Sequence, residues 1–397
     1  MALQKLRGRV RGHRRLLLWL LGFAVLVGCL MLYKLGSLVG GLSQSEVAAA
    51  TTPVGWHGIY QQPLELPLKL VRSAVFYVFP DHGQTLTRLP NVLFGVLSII
   101  SFGALIRLWH GRRTAVLATL LFAAGAWTLH VSRLASFDVL YLWATTTLVC
   151  SHFLLRKYHE RAPVWYGNIL LWGLLLYVPG LVWFVLADII MQRRFLLKGW
   201  RAHARWPQRL LTVLAGAVWL PLLAIGLARS GQLLTWLGIP GDFAAPLTVL
   251  KQFAAVPVHL FIRGPQYPEL WLGKAPILDV FVLTACILGI YFYATHRKAA
   301  RTRYLAVLAF IGFVLVGLGG PVELSLLVPL LYMAAATGIA YLLHDWLKIF
   351  PNNPLARGLG IGLIVFAVAL SCLYNCRAYF IAWPHAPPTK IVFRYHR

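Results

Sequence analysis

The first candidate for chemistry is a short polar run between two long apolar stretches. It reads SRLASFD at positions 132–138 and places Arg133 and Asp138 five residues apart. Ionisable side chains next to apolar segments are costly, so they indicate a function or a partner. Arg133 could bind a phosphate, while Asp138 could orient that arginine or accept a hydrogen bond. The alternative is a structural ion pair that closes a helical hairpin.

Glu46 is the second candidate, in the run GLSQSEVA at positions 41–48. Ser43 and Glu46 have the S-x-x-E spacing of a capping box, which satisfies free backbone N–H groups where a helix begins. The carboxylate also follows the first apolar stretch, at a level where a general base would be useful. The spacing therefore leaves two roles open, a helix cap and a catalytic base.

Basic side chains around these two are candidates for binding an anionic group. They are His57, Lys69, Arg72 and Arg88, with Arg263 from a later segment. Arg88 opens an apolar stretch and could face lipid head groups or a bound substrate, whereas a lone histidine such as His57 is more often a surface or packing residue. The sequence has no H-E-x-x-H, P-loop or G-x-S-x-G motif. It therefore predicts no resident cofactor and no metal site, although a divalent ion stays possible.

The elements that must position these residues are long and apolar. Of the 397 residues, 59% are hydrophobic and only 12% are charged, about half the charged share of a soluble domain. Uncharged runs occupy residues 16–33, 92–106, 115–129 and 306–320. A soluble fold could not bury so many such helices, whereas a helix that crosses a bilayer needs about 20 apolar residues. The sequence therefore predicts an all-α, polytopic membrane protein.

Eleven membrane-spanning segments are predicted from these runs. They lie near residues 16–35, 89–108, 114–130, 138–155, 164–178, 180–191, 210–228, 276–295, 304–320, 324–343 and 358–377. The run YVPG at 177–180 marks either a tight turn or a kink. The spacing of Gly36 with Gly40, and of Gly358 with Gly362, predicts close helix packing at these positions.

The basic residues predict the orientation. The net charge is +26, but the cations stand in short clusters between apolar runs, such as Arg112-Arg113 and Arg193-Arg194. Cytoplasmic loops of membrane proteins have this pattern, whereas a nucleic-acid-binding protein would present a basic stripe. With a cytoplasmic N-terminus, 24 of the 37 basic residues lie inside and 8 of the 11 acidic residues lie outside. We therefore expect the chemistry on the outer face and no nucleic-acid partner.

Residues 1–397 are predicted to form a single transmembrane domain with two large outer loops, 36–87 and 229–275. Both exceed the length of ordinary connectors. The first contains amphipathic stretches at 46–50 and 64–79, which we expect to be short helices at the membrane interface. Loops that merely rest on lipid are the alternative. No separate C-terminal soluble domain is expected, because the chain ends about twenty residues after the last segment.

Three passages resemble the GT-C superfamily of glycosyltransferases, in the branch of the dolichyl-phosphate-mannose protein mannosyltransferases and the bacterial aminoarabinose (ArnT-like) transferases. GLSQSEVA at 41–48 is similar to the motif of the first outer loop of that family. RLPNVLFG at 88–95, followed by GRRTA at 111–115, is similar to its second helix and the loop after it. SRLA at 132–135, with Asp138, is similar to its turn between the third and fourth helices. The resemblance covers about residues 40–155.

The resemblance implies many transmembrane helices, a polyprenyl-phosphate sugar as donor substrate, and transfer outside the cytoplasm with inversion of the anomeric centre. The acidic first-loop residues of that family deprotonate the acceptor and position the donor, a role that would fall here on Glu46. The sequence departs from the family at Ser45, where an aspartate is usual. It also departs at QQPL (61–64), which lacks the charged residues of a Pro-rich motif.

These observations predict an integral membrane glycosyltransferase, a hexosyl or pentosyl transferase acting on a protein, lipid or glycan acceptor. A lipid phosphate that leaves requires cations around it and a base near the acceptor hydroxyl. The basic side chains named above would supply the first, and Glu46 or Asp138 the second. The alternatives are a flippase or other transporter of lipid-linked sugars, and a catalytically inactive relative that acts as a partner subunit. We expect a multi-pass protein of a bacterial plasma membrane, with a role in cell-envelope glycosylation.

Overall fold

The structure is a computed structural model of the chain, and it describes residues 22–51, 62–79, 83–222, 230–267, 269–270 and 272–394. The regular elements in these ranges are helices, which confirms the predicted all-α class. In chain order they are α1 (Gly22–Leu32), α2 (Gln44–Thr51), α3 (Leu66–Val78), α4 (Gln84–His110), α5 (Arg112–Ala124), α6 (Ala126–Arg133), α7 (Val139–Tyr158), α8 (Ala162–Leu175), α9 (Leu181–Ala202), α10 (Trp206–Gly216), α11 (Ser230–Leu237), α12 (Pro246–Phe261), α13 (Val280–Thr295), α14 (Ala300–Gly317), α15 (Val328–Ile349), α16 (Pro354–Arg377), α17 (Trp383–His385) and α18 (Pro387–Val392). Short 3₁₀ turns at Ala217–Trp219 and Leu324–Leu326 and a π turn at Ala378–Ala382 join some of them.

Several of these helices are suited to a membrane. Within the described ranges, five stretches are long and apolar enough to cross a bilayer, and a sixth is obtained if the bent pair α5–α6 counts as one span. The five are α4, α7, α14, Leu324–Ile349 and Pro354–His385. The helices α1 and α13 are apolar but shorter. The fold is therefore that of an integral membrane protein, while the predicted number of eleven spans and their orientation stay predictions.

The described part of the predicted first loop, 36–87, includes the short helices α2 and α3, close to the amphipathic stretches of the sequence. The predicted second loop, 229–275, contains α11 and α12. The run YVPG forms a turn between α8 and α9, in which Gly180 takes a φ of 76°. Since glycine adopts this left-handed conformation without steric cost, the turn interpretation is confirmed over the kink.

Close packing occurs at one of the expected glycines and at others that were not expected. The helices α13 and α15 pack against each other, and a Cβ at Gly289 or Gly338 would meet a backbone carbonyl oxygen of the opposing helix. A Cβ at Gly358 or Gly362 would meet nothing within 4 Å, so the predicted packing role of that pair is wrong. Gly36 does make a close approach, to Thr85 at the start of α4.

The polar run 132–138 is positioned by a bend. The helices α5 and α6 meet at 58° across a break of one residue at Gly125. The helix α4 packs against both α6 and α7, so the turn between α6 and α7 lies beside the N-terminal part of α4. This arrangement brings the turn close to Arg88, in the second turn of α4, and to the helix α2.

Candidate active site

The capping box predicted at the start of α2 is formed. The backbone N–H of Ser43 donates to Glu46 Oε2 at 3.1 Å, and the backbone N–H of Glu46 donates to Ser43 Oγ at 3.2 Å. These two bonds satisfy N–H groups that have no partner within the first turn of a helix. The helix cap is therefore one role that Glu46 performs.

The same carboxylate pairs with Arg88. Arg88 Nε donates to Glu46 Oε1 and Arg88 Nη2 to Glu46 Oε2, both at 2.8 Å. Two further Arg88 N–H groups donate to Leu35 O at 3.0 Å and Gly41 O at 3.1 Å, and Ala135 N–H donates to Glu46 Oε1 at 3.0 Å. Each carboxylate oxygen thus accepts two hydrogen bonds, which uses its lone pairs fully. With exposures of 1% and 2%, Glu46 and Arg88 form a buried ion pair that ties α2, α4 and the α6–α7 turn together.

Arg133 supports the end of α1. Its Nη1 donates to Leu30 O at 2.7 Å and its Nη2 to Tyr33 O at 2.5 Å, and its guanidinium carbon lies 5.3 Å from the centroid of the Tyr379 ring. A cation at this position stabilises the C-terminal end of a helix. Among the described residues Arg133 makes no ion pair with Asp138, so the alternative of a structural ion pair across the turn is wrong. Arg133 instead bonds to two carbonyl oxygens at the end of α1.

Arg72 reaches the same turn from α3. Its Nη1 donates to Ala49 O at 2.7 Å and its Nη2 to Ala135 O at 3.4 Å. Its guanidinium carbon lies 5.5 Å from the centroid of the Phe137 ring. Burial lowers the pKa of Arg72 to about 10, which still leaves it cationic at neutral pH. Arg72 Nε is a buried donor without a partner in the part of the chain that the structure describes.

Lys69 lies one helical turn before Arg72 on α3. Its Nζ donates to Leu64 O at 2.8 Å and Gln62 O at 3.0 Å, and lies 3.6 Å from Glu65 Oε2. Burial lowers the pKa of Lys69, and burial raises the pKa of Glu65 against the attraction of that lysine. Burial thus disfavours the charged forms of Glu65 and Lys69, and the attraction between their opposite charges offsets part of this desolvation cost.

Asp138 is less constrained than Glu46. It occupies the N-cap position of α7, yet its side chain makes no capping bond, and it accepts a hydrogen bond from Ser136 Oγ at 3.3 Å. The side chain is half-buried. Burial, with the neighbouring charge of Glu269, raises the pKa of Asp138 to about 6. Burial, with the charge of Asp138, raises the pKa of Glu323 to about 7.

Glu269 comes to this place from the second loop. Ser45 Oγ donates to Glu269 Oε2 at 2.6 Å, and Ser45 N–H lies 3.4 Å from Glu269 Oε1. The backbone oxygen of Glu269 lies 2.8 Å from His130 Nε2 on α6. The sequence analysis did not identify Glu269, Glu323 or His130 as site residues. The one sequence signal for Glu269 was the serine at position 45, where the resembled family usually has an aspartate. In the structure the Ser45 hydroxyl donates to the carboxylate of Glu269, which is distant in sequence.

The structure therefore divides the predicted site residues into groups. Glu46, Arg88, Arg133, Arg72 and Lys69 lie in one buried polar cluster around the α6–α7 turn, and Asp138 lies at its edge. Arg263 is exposed and donates from Nη2 to Gln266 Oε1 at 3.3 Å. His57 lies outside the described residues. In the described ranges no group of three or more His, Cys, Asp or Glu side chains is placed to hold a metal ion.

Comparison with solved structures shows what the fold is similar to. ArnT from Cupriavidus metallidurans in the apo state matches with a TM-score of 0.55 and 12% identity, over 95% of this chain and 78% of ArnT. ArnT bound to undecaprenyl phosphate matches with a TM-score of 0.52 and 12% identity, over 95% and 76%. The Archaeoglobus fulgidus oligosaccharyltransferase tethered with an acceptor peptide matches with a TM-score of 0.51 and 13% identity, over 95% and 55%. No protein-family model matches the sequence, and no curated protein is significantly similar to it.

At these identities the likeness concerns the fold. ArnT and the oligosaccharyltransferase are both GT-C membrane glycosyltransferases, and the match extends over 95% of this chain. The chain therefore has a GT-C fold, as three passages of its sequence predicted.

Proposed function

We propose that the protein is a membrane glycosyltransferase that moves a sugar from a polyprenyl phosphate to an acceptor. One observation carries the proposal. In a GT-C fold, the half-buried carboxylate of Asp138 directly follows Phe137, whose ring is contacted by Lys69 and Arg72, and the pKa of Asp138 is raised to about 6. A general base works best when its pKa lies near the working pH. The binding of undecaprenyl phosphate by ArnT supports a polyprenyl phosphate as the lipid carrier.

In this proposal Asp138 is the catalytic base. It accepts the proton of the acceptor hydroxyl while that oxygen forms a bond to the anomeric carbon. The bond between the anomeric carbon and the phosphate oxygen breaks, and the phosphate leaves with the electron pair. A single displacement of this kind inverts the anomeric centre. Near neutral pH a carboxyl with a pKa of about 6 is mostly ionised and still basic enough to take the proton.

The cations on α3 are assigned to the leaving phosphate. Arg72 lies over the ring of Phe137, directly before Asp138, and Lys69 Nζ lies 5.6 Å from the centroid of the same ring. Arg72 Nε, which has no partner in the described ranges, is a donor that a phosphate oxygen could use. Charge that develops on a phosphate in a site of low polarity is strongly stabilised by such fixed cations.

Glu46 and Arg88 are assigned a positioning role. The four hydrogen bonds to the Glu46 carboxylate leave no lone pair for an acceptor proton. One of those bonds holds the backbone of Ala135, three residues before Asp138. We therefore assign the base role to Asp138 and the placement of its turn to Glu46. Arg133, which belongs to the end of α6 and holds the end of α1, is likewise assigned a positioning role.

The remaining parts of the proposal concern the membrane. We place the N-terminus in the cytoplasm, the eleven segments across the bilayer and the Asp138 site on the outer face of a plasma membrane. The support is the distribution of basic residues, 24 of 37 of which would lie inside. The acceptor is a protein, a lipid or a glycan, and the peptide acceptor of the archaeal oligosaccharyltransferase supports the first of these.

A second candidate function is an inactive GT-C relative that serves as a partner subunit. The observation that favours it is the pair of residues at the first-loop motif. Ser45 cannot act as a carboxylate base, and Glu46 is fully bonded. The two functions differ in one measurable respect, because only the enzyme requires an ionisable group at position 138.

The transporter alternative has less support in the described residues. A transporter would be expected to keep ionisable groups available near the middle of the membrane. The buried Asp188 of α9 instead accepts hydrogen bonds from Trp172, Gln192 and Tyr304 at 2.7–2.9 Å and pairs with His152 at 2.6 Å. That set of bonds is suited to holding helices together.

The test is a transfer assay with purified protein and radiolabelled polyprenyl-phosphate sugars, covering hexoses and a 4-aminopentose, with membrane extract as acceptor. We expect Asp138→Asn to reduce the rate by about 100-fold or more, the usual contribution of a general base. The matched control is Glu160→Gln, which removes a carboxylate that is 80% exposed and should leave the rate unchanged. Equal rates for the wild type and Asp138→Asn would refute the assignment of the base.

A further inference from the structure

A cavity lies at the opposite end of α4 from the candidate active site. It has a volume of about 640 Å³ and is bounded by the end of α4, the start of α5, the end of α13, the start of α14 and the second half of α15. Arg88 and His110 are 22 residues apart on α4, which corresponds to about 33 Å along the helix axis. The cavity is therefore separate from the site around Asp138 by roughly the thickness of a bilayer.

The lining of this cavity is strongly basic. Arg112, Arg113 and Arg301 line it together with His110 and His344, and no aspartate or glutamate is among the lining residues of the described ranges. None of the three arginines forms an ion pair in the part of the chain that the structure describes. Cations gathered at one place without compensating carboxylates indicate an anionic ligand.

Arg301 is held in place by aromatic rings. Its guanidinium carbon lies 4.9 Å from the Trp109 ring centroid and 5.6 Å from that of Tyr293. Its Nη1 lies 3.5 Å from His110 Nε2, which in turn lies 3.1 Å from Thr337 Oγ1. Stacking fixes the plane of the guanidinium while leaving most of its N–H donors free. Such a planar fork is suited to two oxygens of one phosphate.

The start of α5 adds backbone donors to the same wall. The helix begins at Arg112 after Gly111, whose φ is 86°, and no side chain caps it. The first N–H groups of a helix and its dipole favour a negative charge. Arg112, Arg113 and Thr114 of this first turn all line the cavity. The remaining walls are apolar, with Phe292 and Leu347 among them.

We propose that this cavity binds a phosphate group, carried either by an anionic membrane lipid or by a soluble phosphate ester. The cavity lies where apolar helices end, at the level where basic pockets between membrane helices meet lipid head groups. Its volume is adequate for a phosphorylated head group. The proposal does not depend on the transferase activity, because the two sites lie at opposite ends of α4.

The experiment compares ligands and variants in purified, detergent-solubilised full-length protein. Native mass spectrometry measures the binding of phosphatidylglycerol and, for comparison, phosphatidylcholine. Titration calorimetry measures inorganic phosphate and glycerol 3-phosphate. We expect Arg301→Gln to weaken the binding of the anionic ligand by about tenfold or more, since it removes charge-assisted bonds. Arg301→Lys should recover only part of the binding, because it keeps the charge and loses the planar fork.

Arg112→Gln/Arg113→Gln is the second variant, and it removes two exposed charges without disturbing the interior. Its matched control is Arg193→Gln/Arg194→Gln, which removes an equally exposed pair on α9 that does not line the cavity. Binding of phosphatidylglycerol alone would identify a lipid-borne phosphate, and equal binding of glycerol 3-phosphate would identify a soluble ester. Absence of both, or equal losses in the cavity and control pairs, would overturn the proposal.

Discussion

Replacement of Glu46 by glutamine is expected to destabilise the protein strongly, although the two side chains have nearly the same shape. The amide keeps one oxygen and replaces the other by an NH₂ group. Whichever way it is turned, two of the four donors that now bond to the carboxylate face another donor. One of these two belongs to Arg88, whose charge then stays buried without a counter-ion.

The magnitude follows from these losses. A hydrogen bond that involves a charged group contributes about 1.5–3 kcal/mol, so two of them correspond to about 3–6 kcal/mol. Breaking a buried ion pair by removal of one partner has a similar cost of about 3–5 kcal/mol. We therefore expect Glu46→Gln to lower the free energy of unfolding by about 3–5 kcal/mol. Glu160→Gln, at an exposed carboxylate, should change it by less than about 0.5 kcal/mol.

The measurement is equilibrium unfolding in mixed micelles, made on Glu46→Gln, Glu160→Gln, Arg88→Gln and the double variant Glu46→Gln/Arg88→Gln. Because both residues act in one network, the double variant should lose less than the sum of the two single losses. A free energy of unfolding for Glu46→Gln within about 0.5 kcal/mol of the wild type would refute the buried pair. Additive losses would show that Arg88 and Glu46 do not interact.

Three further predictions concern Asp138, the second loop and helix packing. Because the base acts when deprotonated, the transfer rate should rise with pH through an apparent pKa between about 6 and 7. A pH–rate profile measures this rise, which should be absent from Asp138→Asn. Burial raises the folded-state pKa of Asp138, so between about pH 4 and 6 the folded protein keeps a proton that the unfolded chain releases. The free energy of unfolding therefore falls as the pH rises through this range. At pH 7 Asp138→Asn should unfold no more easily than the wild type. Ser45→Ala removes the 2.6 Å bond to Glu269 and should speed hydrogen exchange around residues 264–270 without lowering the unfolding midpoint, and unchanged exchange would count against the contact. Gly289→Ala should cost about 1–3 kcal/mol by overpacking, whereas Gly362→Ala should be neutral or slightly stabilising in the same unfolding experiment.

Features that depend on neighbouring residues could be predicted from the sequence. The S-x-x-E spacing identified the capping box of Ser43 and Glu46, because a cap involves groups three residues apart. The long apolar runs identified an all-α membrane protein, and the three motif passages identified the GT-C fold. Most of the basic and acidic residues that were chosen because charge is costly near a membrane lie in one cluster, while their role in a functional site stays a prediction.

Their partners could not be predicted, because these come from distant parts of the chain. Arg133 was expected to bind a phosphate, with an ion pair to Asp138 as the alternative, but two carbonyl oxygens at the end of α1 are its acceptors. Ser45 and Glu269 are 224 residues apart, and no periodicity relates them. The packing prediction from the spacing of Gly358 with Gly362 was wrong for the same reason, because contacts between helices join distant parts of the chain. Gly358 and Gly362 face no neighbouring helix, whereas Gly289 and Gly338 do.

The two sides of Asp138 are anchored to different degrees. On one side, the buried four-bond carboxylate of Glu46 holds the backbone of the α6–α7 turn to α2 and α4. On the other side, the side chain of Glu269 is held at Ser45 by hydrogen bonds that are exposed to solvent, and its backbone oxygen is bonded to the buried His130. An incoming molecule that competes for hydrogen bonds displaces the exposed contact at far lower cost than the buried one. Entry to Asp138 is therefore expected to proceed by displacement of the Glu269 side chain from Ser45, while the turn that carries the carboxylate keeps its place.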